Sequence, residues 1–188
     1  MCGIAGLCNW GDGWQRNIGR MNEKMYHRGP DAGGVWASED HSVVLGHRRL
    51  SIVDLTPSGA QPMESHNGRY VIAFNGEIYN HRMIRDRLIR EKKVMDFRGT
   101  SDTEVLLEAV SAYGFKETLV MAKGMFAIAV YDKKEHVLLL ARDRVGEKPL
   151  YYGYVGKQRF VFASDLNSIA AVDGFDNPIN KGVLKNYF

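Results

Sequence analysis

The stretch FAIAVYDKKEHVLLLA, residues 126–141, decides the fold class of this chain. Two apolar runs, residues 126–131 and 137–141, flank a polar turn at residues 132–134, which is typical of a β-hairpin. Both runs are continuously apolar instead of alternating with polar residues, so each strand must be covered on both faces. We therefore expect a sheet with a second sheet against one face and helices against the other.

Further strands and helices are predicted on both sides of this hairpin. A second hairpin covers residues 150–163 and turns at Gly156 and Lys157, while loop-forming residues are densest at 54–68. Three more strands are predicted at residues 2–9, 43–49 and 70–74. Three helices are predicted: one carrying Ile18, Met21 and Met25, a basic amphipathic one at residues 82–93, and one that begins with the capping box of Ser101 and Glu104 and ends at Gly114.

Composition restricts the class of protein. The chain has 188 residues, of which 45% are hydrophobic and 25% charged, which suits one domain with its own core. The net charge is +3 and the basic residues are spread along the chain, so neither a nucleic-acid nor a membrane partner is expected. No apolar run approaches the roughly 18 residues of a membrane span, and we expect a cytoplasmic protein.

The two cysteines, Cys2 and Cys8, do not suggest a disulfide or a metal site. On one strand they would lie about 20 Å apart, which is beyond disulfide reach. The sequence has no CxxC or HxxxH spacing, so no metal is expected.

Cys2 is the first candidate for chemistry. Its side chain is small, so we expect Met1 to be trimmed, which leaves a free α-amine on the residue that carries the thiol. An α-amino group titrates at about pH 8 and can accept a proton from a thiol that attacks an amide carbonyl. The alternative is that Cys2 is a small buried hydrophobic residue on the first strand.

Asn75 and Gly76 are candidates for stabilising negative charge. A side-chain amide next to a backbone N–H without a neighbouring Cβ offers two donors to an oxygen that becomes negative during acyl transfer. The alternative is a hairpin turn, for which Asn-Gly after an apolar strand is the commonest signal. Residues 77–80 weaken that alternative because they lead into a helical pattern and not into a returning strand.

Arg49 and Asp102 are candidates for binding a charged ligand. Arg49 closes an apolar strand, where a guanidinium can form two parallel hydrogen bonds with a carboxylate, or can simply extend to water. Asp102 lies in the first turn of a helix, where the helix dipole favours a carboxylate with or without a ligand.

Together these residues closely resemble the class II glutamine amidotransferases, and within them the N-terminal domain of glutamine-hydrolysing asparagine synthetase. The matching motifs follow the family order over nearly the whole chain, which makes them specific as a set. They are MCGIAG (1–6), HRGPD (27–31), HRRLSIVD (47–54), QPM (61–63), NGEIYN (75–80), SDTE (101–104), GMFA (124–127) and RDRVGEKPLYY (142–152).

The resemblance implies an α+β fold, the N-terminal nucleophile hydrolase sandwich of four αββα layers with two stacked antiparallel sheets. It implies that Cys2 attacks glutamine and forms a glutamyl thioester, with its own amine as the base. Asn75 and Gly76 then form the oxyanion hole, and Arg28 supports the pocket. The implied glutamine-binding residues are Arg49, Leu50, Ser51, Ile52, Val53, Asn75, Gly76, Glu77 and Asp102, with Arg49 on the α-carboxylate and Glu77 and Asp102 on the α-ammonium.

The resemblance also implies a partner domain. Residues 1–172 correspond to the glutaminase domain and 173–188 to the start of a linker to a synthetase domain that resembles ATP pyrophosphatases. ATP and Mg are expected in that domain and no cofactor in this one, with the ammonia used to make asparagine from aspartate. Alternatives are another acceptor such as a sugar, another amide substrate, or a catalytically silent glutamine-binding regulatory module, and a homodimer is left open.

Overall fold

Nine strands form two antiparallel sheets in the computed structural model, which describes residues 1–51, 57–178 and 181–184. The first sheet has the strand order β2-β3-β1-β9-β8 and the second the order β4-β5-β6-β7. In chain order the strands are β1 (Gly3–Cys8), β2 (Ala32–Ala37), β3 (Val43–Arg49), β4 (Met63–Glu64), β5 (Tyr70–Ile78), β6 (Gly124–Asp132), β7 (Val137–Arg142), β8 (Tyr151–Val155) and β9 (Arg159–Ala163).

Helices cover the outer face of each sheet. α1 and α5 pack on the first sheet, while α2 and α3 pack on the second. The helices are α1 (Trp14–Lys24), α2 (His81–Arg90), α3 (Asp102–Tyr113), α4 (Phe115–Met121), α5 (Leu166–Ala170) and α6 (Lys181–Leu184). No helix within the described ranges is long and apolar enough to cross a membrane.

Three apolar clusters separate these four layers. The middle cluster lies between the sheets and contains Ile4, Leu45, Ala73 and Phe162, all fully buried. The two outer clusters lie between each sheet and its helices. The expected αββα arrangement of two stacked antiparallel sheets is therefore confirmed.

Strand β6 of the predicted hairpin is covered on both faces, whereas its neighbour β7, at the edge of the sheet, is only partly buried and Val137 is exposed. Ala127 and Ala129 belong to the cluster between the sheets, whereas Ile128 and Val130 belong to the cluster against α2 and α3. Successive residues of a strand point to opposite faces, so a strand in the middle of four layers needs apolar residues at every position.

The structure corrects the predicted end of one strand. β5 continues through Asn75 and Gly76 to Ile78, whereas the sequence predicted that it ends at residue 74. Asn75 and Gly76 are paired with Ala127 and Phe126 of β6, so they are not in a turn. Pairing with β6 overrides the local turn preference of Asn-Gly.

Three elements, β2, α4 and the five-residue α5, were not predicted, and β4 lies in a predicted loop. β2 is short, glycine-containing and mostly exposed, so it lacks the apolar pattern of a buried strand. α4 has seven residues and only Thr118 is buried. β4 has two residues and lies within residues 54–68, which were predicted as loop.

The capping box of α3 is half formed. Ser101 Oγ accepts the N–H of Glu104 at 3.3 Å, as predicted, and Gly114 ends the preceding helix with φ +92°. The carboxylate of Glu104 instead accepts the N–H groups of Arg98 and Gly99 at 2.8 and 2.9 Å. The helix begins and ends where the sequence predicts, but Glu104 binds the preceding loop.

Candidate active site

A cavity of about 250 Å³ opens where the two sheets and the first turn of α3 meet. Its lining combines a thiol, two amides, two carboxylates and two cationic side chains. The lining residues used below are Met1, Cys2, Arg49, Leu50, Gln61, Asn75, Gly76, Glu77, Asp102, Thr103 and Lys148.

Cys2 reaches this cavity because of its position before β1. Ile4 faces the second sheet, and Cys2 has the same parity along the chain, so its side chain lies on the same face. The N–H of Leu50 donates to Cys2 Sγ at 3.4 Å, and the thiol lies 3.7 Å from the C=O of Leu50. The backbone after β3 therefore holds the thiol at the end of the sandwich.

Residues 28–30 (RGP) contact the backbone of Cys2 and the end of β3. Arg28 Nε donates to the C=O of Cys2 at 3.1 Å, and Arg48 Nε donates to the C=O of Gly29 at 2.8 Å. A Cβ added to Gly29 would lie 2.5 Å from the carbonyl carbon of Arg48, so only glycine allows this approach. The structure therefore places Arg28 beside Cys2, where the resemblance puts it.

Arg49 lies level with Cys2. Gly3 pairs with Arg48 in the first sheet, so the antiparallel register brings the next residue of β3 opposite the residue before β1. Arg49 is half-buried and lines the cavity, as does Leu50. A cationic side chain therefore lies at the same end of the sheet as the thiol.

The edge of β5 supplies backbone N–H groups to the cavity. The N–H of Tyr79 donates to the C=O of Lys123 on the β6 side at 2.8 Å. N–H groups of successive strand residues point to opposite edges, so those of Phe74, Gly76 and Ile78 point away from β6. β4 pairs only with Ile72 and Val71, and this edge is without a strand partner beyond them in the part of the chain that is described.

Side chains satisfy two of these three N–H groups. The N–H of Phe74 donates to Gln61 Oε1 at 2.6 Å, and the N–H of Ile78 donates to Asp102 Oδ2 at 2.8 Å. The N–H of Gly76 lies between them on the same edge, beside the cavity. It is thus a donor on the open edge of the strand.

Only glycine fits at position 76. A Cβ there would lie 2.3 Å from the C=O oxygen of Met125 and 2.8 Å from Cα of Phe126. Any larger residue would force β5 and β6 apart.

Asn75 supplies a second donor, a side-chain amide on the face of β5 that points toward the first sheet. Val71 and Ala73 face the first sheet, and Asn75 continues that series toward Cys2. Its side chain is 1% exposed, and its Nδ2 has no hydrogen-bond partner among the described residues. Buried amide groups are nearly always paired, so an unpaired one beside a thiol is typical of a site that binds a ligand oxygen.

Two carboxylates also line the cavity. Asp102 is the first residue of α3 and is 8% exposed, whereas Glu77 is exposed at the end of β5. Burial raises the pKa of Asp102, and the N–H of Ile78 offsets only part of that effect. The negative charge of Asp102 is thus poorly compensated without a cationic ligand.

Lys148 is a cavity residue to which the sequence assigned no role. It is 7% exposed, and its Nζ lies 3.4 Å from Sδ of Met1. The carboxylate of Asp143 accepts the N–H of Lys148 at 3.0 Å, and this holds the loop that brings Lys148 to the cavity. The RDRVGEKP motif contained both residues, but no local pattern connects them with Cys2.

Gln61 and Thr103 are two further residues that the sequence assigned no role. Both line the cavity, and Gln61 Nε2 donates to Thr103 Oγ1 at 3.2 Å. Gln61 belongs to the QPM motif and Thr103 to the SDTE motif, which was the only signal in the sequence for either.

Seven of the predicted site residues lie around the one cavity: Cys2, Arg49, Leu50, Asn75, Gly76, Glu77 and Asp102. Ser51 is not in its lining, and its N–H donates to Asp31 Oδ2 at 2.7 Å. Ile52 and Val53 lie outside the described residues. Within the described ranges, no group of three or more His, Cys, Asp or Glu side chains could hold a metal ion.

Comparison with known proteins identifies a family and several relatives of this chain by sequence. The family model of the glutamine amidotransferase domain matches residues 1–188. The putative glutamine-hydrolyzing asparagine synthetase 2 of Methanocaldococcus jannaschii is 35% identical over 207 residues, covering 100% of this chain and 39% of that protein. Glutamine-hydrolyzing asparagine synthetase 1 of Bacillus subtilis is 40% identical over 192 residues, covering 100% of this chain and 29% of that protein. The chain thus spans about a third of the length of these relatives.

A solved structure has the same fold. Glutamine phosphoribosylpyrophosphate amidotransferase from Bacillus subtilis superposes with a TM-score of 0.75 over 90% of this chain and 43% of that chain. The two sequences are 23% identical, so the likeness concerns the fold alone. It agrees with the sandwich of two antiparallel sheets expected for an N-terminal nucleophile hydrolase.

Proposed function

The chain belongs to the glutamine amidotransferase domain family, and from that premise we propose that it hydrolyses glutamine to glutamate and ammonia through a glutamyl thioester on Cys2. The observation that carries this proposal is the pair of donors beside the thiol. Asn75 Nδ2 is buried without a partner among the described residues, and the N–H of Gly76 lies on the edge of β5 that faces away from β6.

The first step of the proposed mechanism needs the mature N-terminus. Met1 is 56% exposed at the mouth of the cavity, and its removal would leave the α-amine of Cys2 next to the thiol. That amine takes the thiol proton while sulfur attacks the side-chain carbonyl carbon of glutamine. The carbonyl oxygen becomes negative and accepts hydrogen bonds from Asn75 Nδ2 and the N–H of Gly76.

The second half of the reaction releases both products. The protonated amine gives its proton to the departing nitrogen, and the C–N bond breaks. Ammonia leaves, and the glutamyl group stays on Cys2 as a thioester. Water then adds to the thioester carbonyl with the amine again as base, and the C–S bond breaks to give glutamate and free Cys2.

Glutamine binding follows from the charges around the cavity. We assign the α-carboxylate to the guanidinium of Arg49 and the α-ammonium to Asp102 and Glu77. The ammonium would compensate the buried charge of Asp102. Leu50, Ser51 and the backbone of Ile52 and Val53 complete the proposed binding set.

In the longer protein, we propose that the ammonia serves ATP-dependent synthesis of asparagine from aspartate. The relatives named above are asparagine synthetases, and this chain covers their glutamine amidotransferase part. Residues 1–172 would form the glutaminase domain and 173–188 the start of the connection, while ATP and Mg would bind in the synthetase domain. The cytoplasmic location stays a prediction.

Intact mass spectrometry with a glutamine-like electrophile tests the proposal. Diazo-oxo-norleucine should give one covalent adduct on a chain that has lost Met1, and Cys2→Ala should give none. Cys8→Ala is the matched control and should label like the wild type, because burial raises the pKa of Cys8 to about 11. Retention of Met1 with no adduct would instead indicate a silent glutamine-binding module.

Ammonia release separates the activity of this chain from that of the longer protein. The chain alone should release ammonia from glutamine without ATP and should form no asparagine. Asparagine formation by this chain alone would contradict the assignment of synthesis to another domain.

A further inference from the structure

Gln61 connects two parts of the proposed active site. Its Oε1 accepts the N–H of Phe74, the residue before Asn75, at 2.6 Å. Its Nε2 donates to Oγ1 of Thr103, the residue after Asp102, at 3.2 Å. One side chain thus bridges the strand that carries the oxyanion donors and the helix that carries the proposed ammonium-binding carboxylate.

The side chain of Gln61 replaces a missing strand partner. Met63 pairs with Ile72 and Glu64 with Val71, and continuing this register would place Gln61 opposite Phe74. β4 begins only at Met63 and does not reach the position opposite Phe74. The side-chain oxygen of Gln61 therefore accepts the N–H that a backbone carbonyl would accept in a longer strand. The edge of β5 therefore depends on Gln61 at the point where it enters the cavity.

His47 binds the other polar backbone group of the same residue, Phe74. Its Nε2 lies 3.1 Å from the C=O of Phe74, and since a carbonyl only accepts, Nε2 donates. Burial lowers the pKa of His47 to about 4, which keeps the ring neutral near neutral pH. Both polar backbone groups of Phe74 are thus held by side chains, one from β3 and one from residue 61.

The backbone of Gln61 rests on the first sheet. A Cβ added to Gly34 of β2 would lie 2.0 Å from the C=O oxygen of Gln61 and 3.2 Å from Pro62 Cδ. This close contact leaves Gln61 no room to move toward β2. The amide that binds Phe74 and Thr103 is therefore attached to a supported backbone.

We propose that Gln61 is a positioning residue that sets the distance between the oxyanion donors and Asp102, and thereby selects the length of the substrate side chain. The inference rests on the proposed function, because these two sites would hold the two ends of one glutamine. An amide one methylene shorter or longer would then satisfy only one end. Misplacement of a reacting group by about 1 Å can cost about 10²-fold in rate.

Labelling by two electrophiles of different length tests this inference. Diazo-oxo-norleucine matches glutamine, and diazo-oxo-norvaline is one methylene shorter. In Gln61→Met, a substitution of similar size without the two hydrogen bonds, we expect labelling by the longer reagent to fall about 10-fold to 100-fold. The labelling rate with diazo-oxo-norleucine divided by the rate with diazo-oxo-norvaline should fall about tenfold. A structural defect alone would lower both rates equally and leave the ratio unchanged.

Thr103→Val isolates the bond to α3. It keeps the contact between Gln61 and Phe74, so its fold should be less affected than that of Gln61→Met, and it should lower the ratio of labelling rates by about threefold to tenfold. The double variant should be no worse than Gln61→Met, because both changes remove the same link. Gln15→Met, an exposed glutamine on α1, should behave as the wild type.

The outcomes separate this inference from the proposed function. Absence of labelling in the wild type would defeat the proposed function. Normal wild-type labelling with an unchanged ratio in folded Gln61→Met and Thr103→Val would overturn the role of Gln61 alone. Thermal unfolding of each variant shows whether it is folded.

Discussion

Asp102 and Glu104 lie two residues apart in the first turn of α3, and they belong to two buried polar regions that are built in opposite ways. Burial raises the pKa of Asp102, and the N–H of Ile78 offsets only part of this. Burial also acts to raise the pKa of Glu104, but hydrogen bonds from the N–H groups of Arg98 and Gly99 and from the His66 ring lower it overall.

The same difference extends to the residues around each carboxylate. Near the cavity, Asn75 Nδ2, His47 Nδ1 and Arg28 Nη2 are buried without partners in the described part of the chain. Glu104 in contrast accepts four hydrogen bonds, two from backbone and two from side chains. Unpaired polar groups reduce stability, so their concentration near Cys2 indicates a region shaped for a ligand, while the saturated region supports the fold.

Asn75→Ala tests the unpaired region and should have the largest effect. Loss of one oxyanion donor should lower kcat for glutamine about 10²-fold to 10³-fold, or about 2.7 to 4 kcal/mol of barrier. The loss of stability should be smaller than this loss of barrier lowering, because Nδ2 has no partner among the described residues to lose. Ammonia release and thermal unfolding measure the two effects. A large loss of stability with normal kcat would place Asn75 in the supporting scaffold.

Asp102 should make glutamine binding depend on pH. The carboxylate must be ionised to bind an ammonium group, and burial raises its pKa. As the pH falls, KM should therefore begin to rise at pH values that are still above the ordinary pKa range of Asp. Asp102→Asn should raise KM roughly tenfold or more, since hydrogen bonds to charged groups contribute about 1.5 to 3 kcal/mol. It should also remove this pH dependence. An identical KM profile in the variant would contradict the assignment.

Glu104→Gln tests the saturated region. The amide group would leave at least one partly buried N–H of residues 98 and 99 unpaired, so the free energy of unfolding should fall by about 1 kcal/mol. Because the pKa of Glu104 is lowered in the folded state, its stabilisation is present above the unfolded pKa and is lost as pH falls through the folded pKa. The variant should therefore lose less stability in acid than the wild type.

The control for this change is Glu23→Gln, an exposed position on α1. Urea unfolding at several pH values should show little change for Glu23→Gln. If the region around Glu104 only supports the fold, the kcat of folded Glu104→Gln should stay within about threefold of wild type. Residues that share no hydrogen-bond partner couple only weakly. A collapse of kcat in a stable variant would erase the distinction between the two regions.

The smallest effect is expected at the surface. Lys133 Nζ lies 2.6 Å from Glu64 Oε1, and both side chains are well exposed. Lys133→Ala should lower the free energy of unfolding by about 0.2 to 1 kcal/mol, and the difference should shrink with added salt. Denaturant unfolding at two salt concentrations measures it. A larger, salt-independent loss would show that the pair is not an ordinary surface contact.

Several residues show how far the sequence predicted this site. Cys2, Asn75, Gly76, Arg49 and Asp102 were identified by their chemistry together with the family motifs. Their roles stay predictions, but the structure places them around one cavity. The predicted end of this strand at residue 74 was wrong, because pairing with a strand some 50 residues later extends β5 through Asn75 and Gly76.

The residues that were missed share one feature. Gln61 and Lys148 each lie in a quoted motif, yet neither has a local pattern that reveals its partner. Gln61 binds Phe74 and Thr103, which are 13 and 42 residues away. Lys148 reaches Met1, which is 147 residues away. Hydrogen bonds over such separations depend on how the sheets stack.

The sequence by itself determined the apolar hairpin at residues 126–141, the start and end of α3, and the chemistry available at Cys2, because apolar patterning, capping and side-chain reactivity are local properties. Only the tertiary structure decided which polar groups stay unpaired. Among the described residues, the N–H of Gly76 is open because β4 spans only Met63 and Glu64, and Asn75 Nδ2 is unpaired because the stacked sheets place it beside the cavity that Cys2 lines. Whether a buried donor finds a partner depends on distant segments meeting in space.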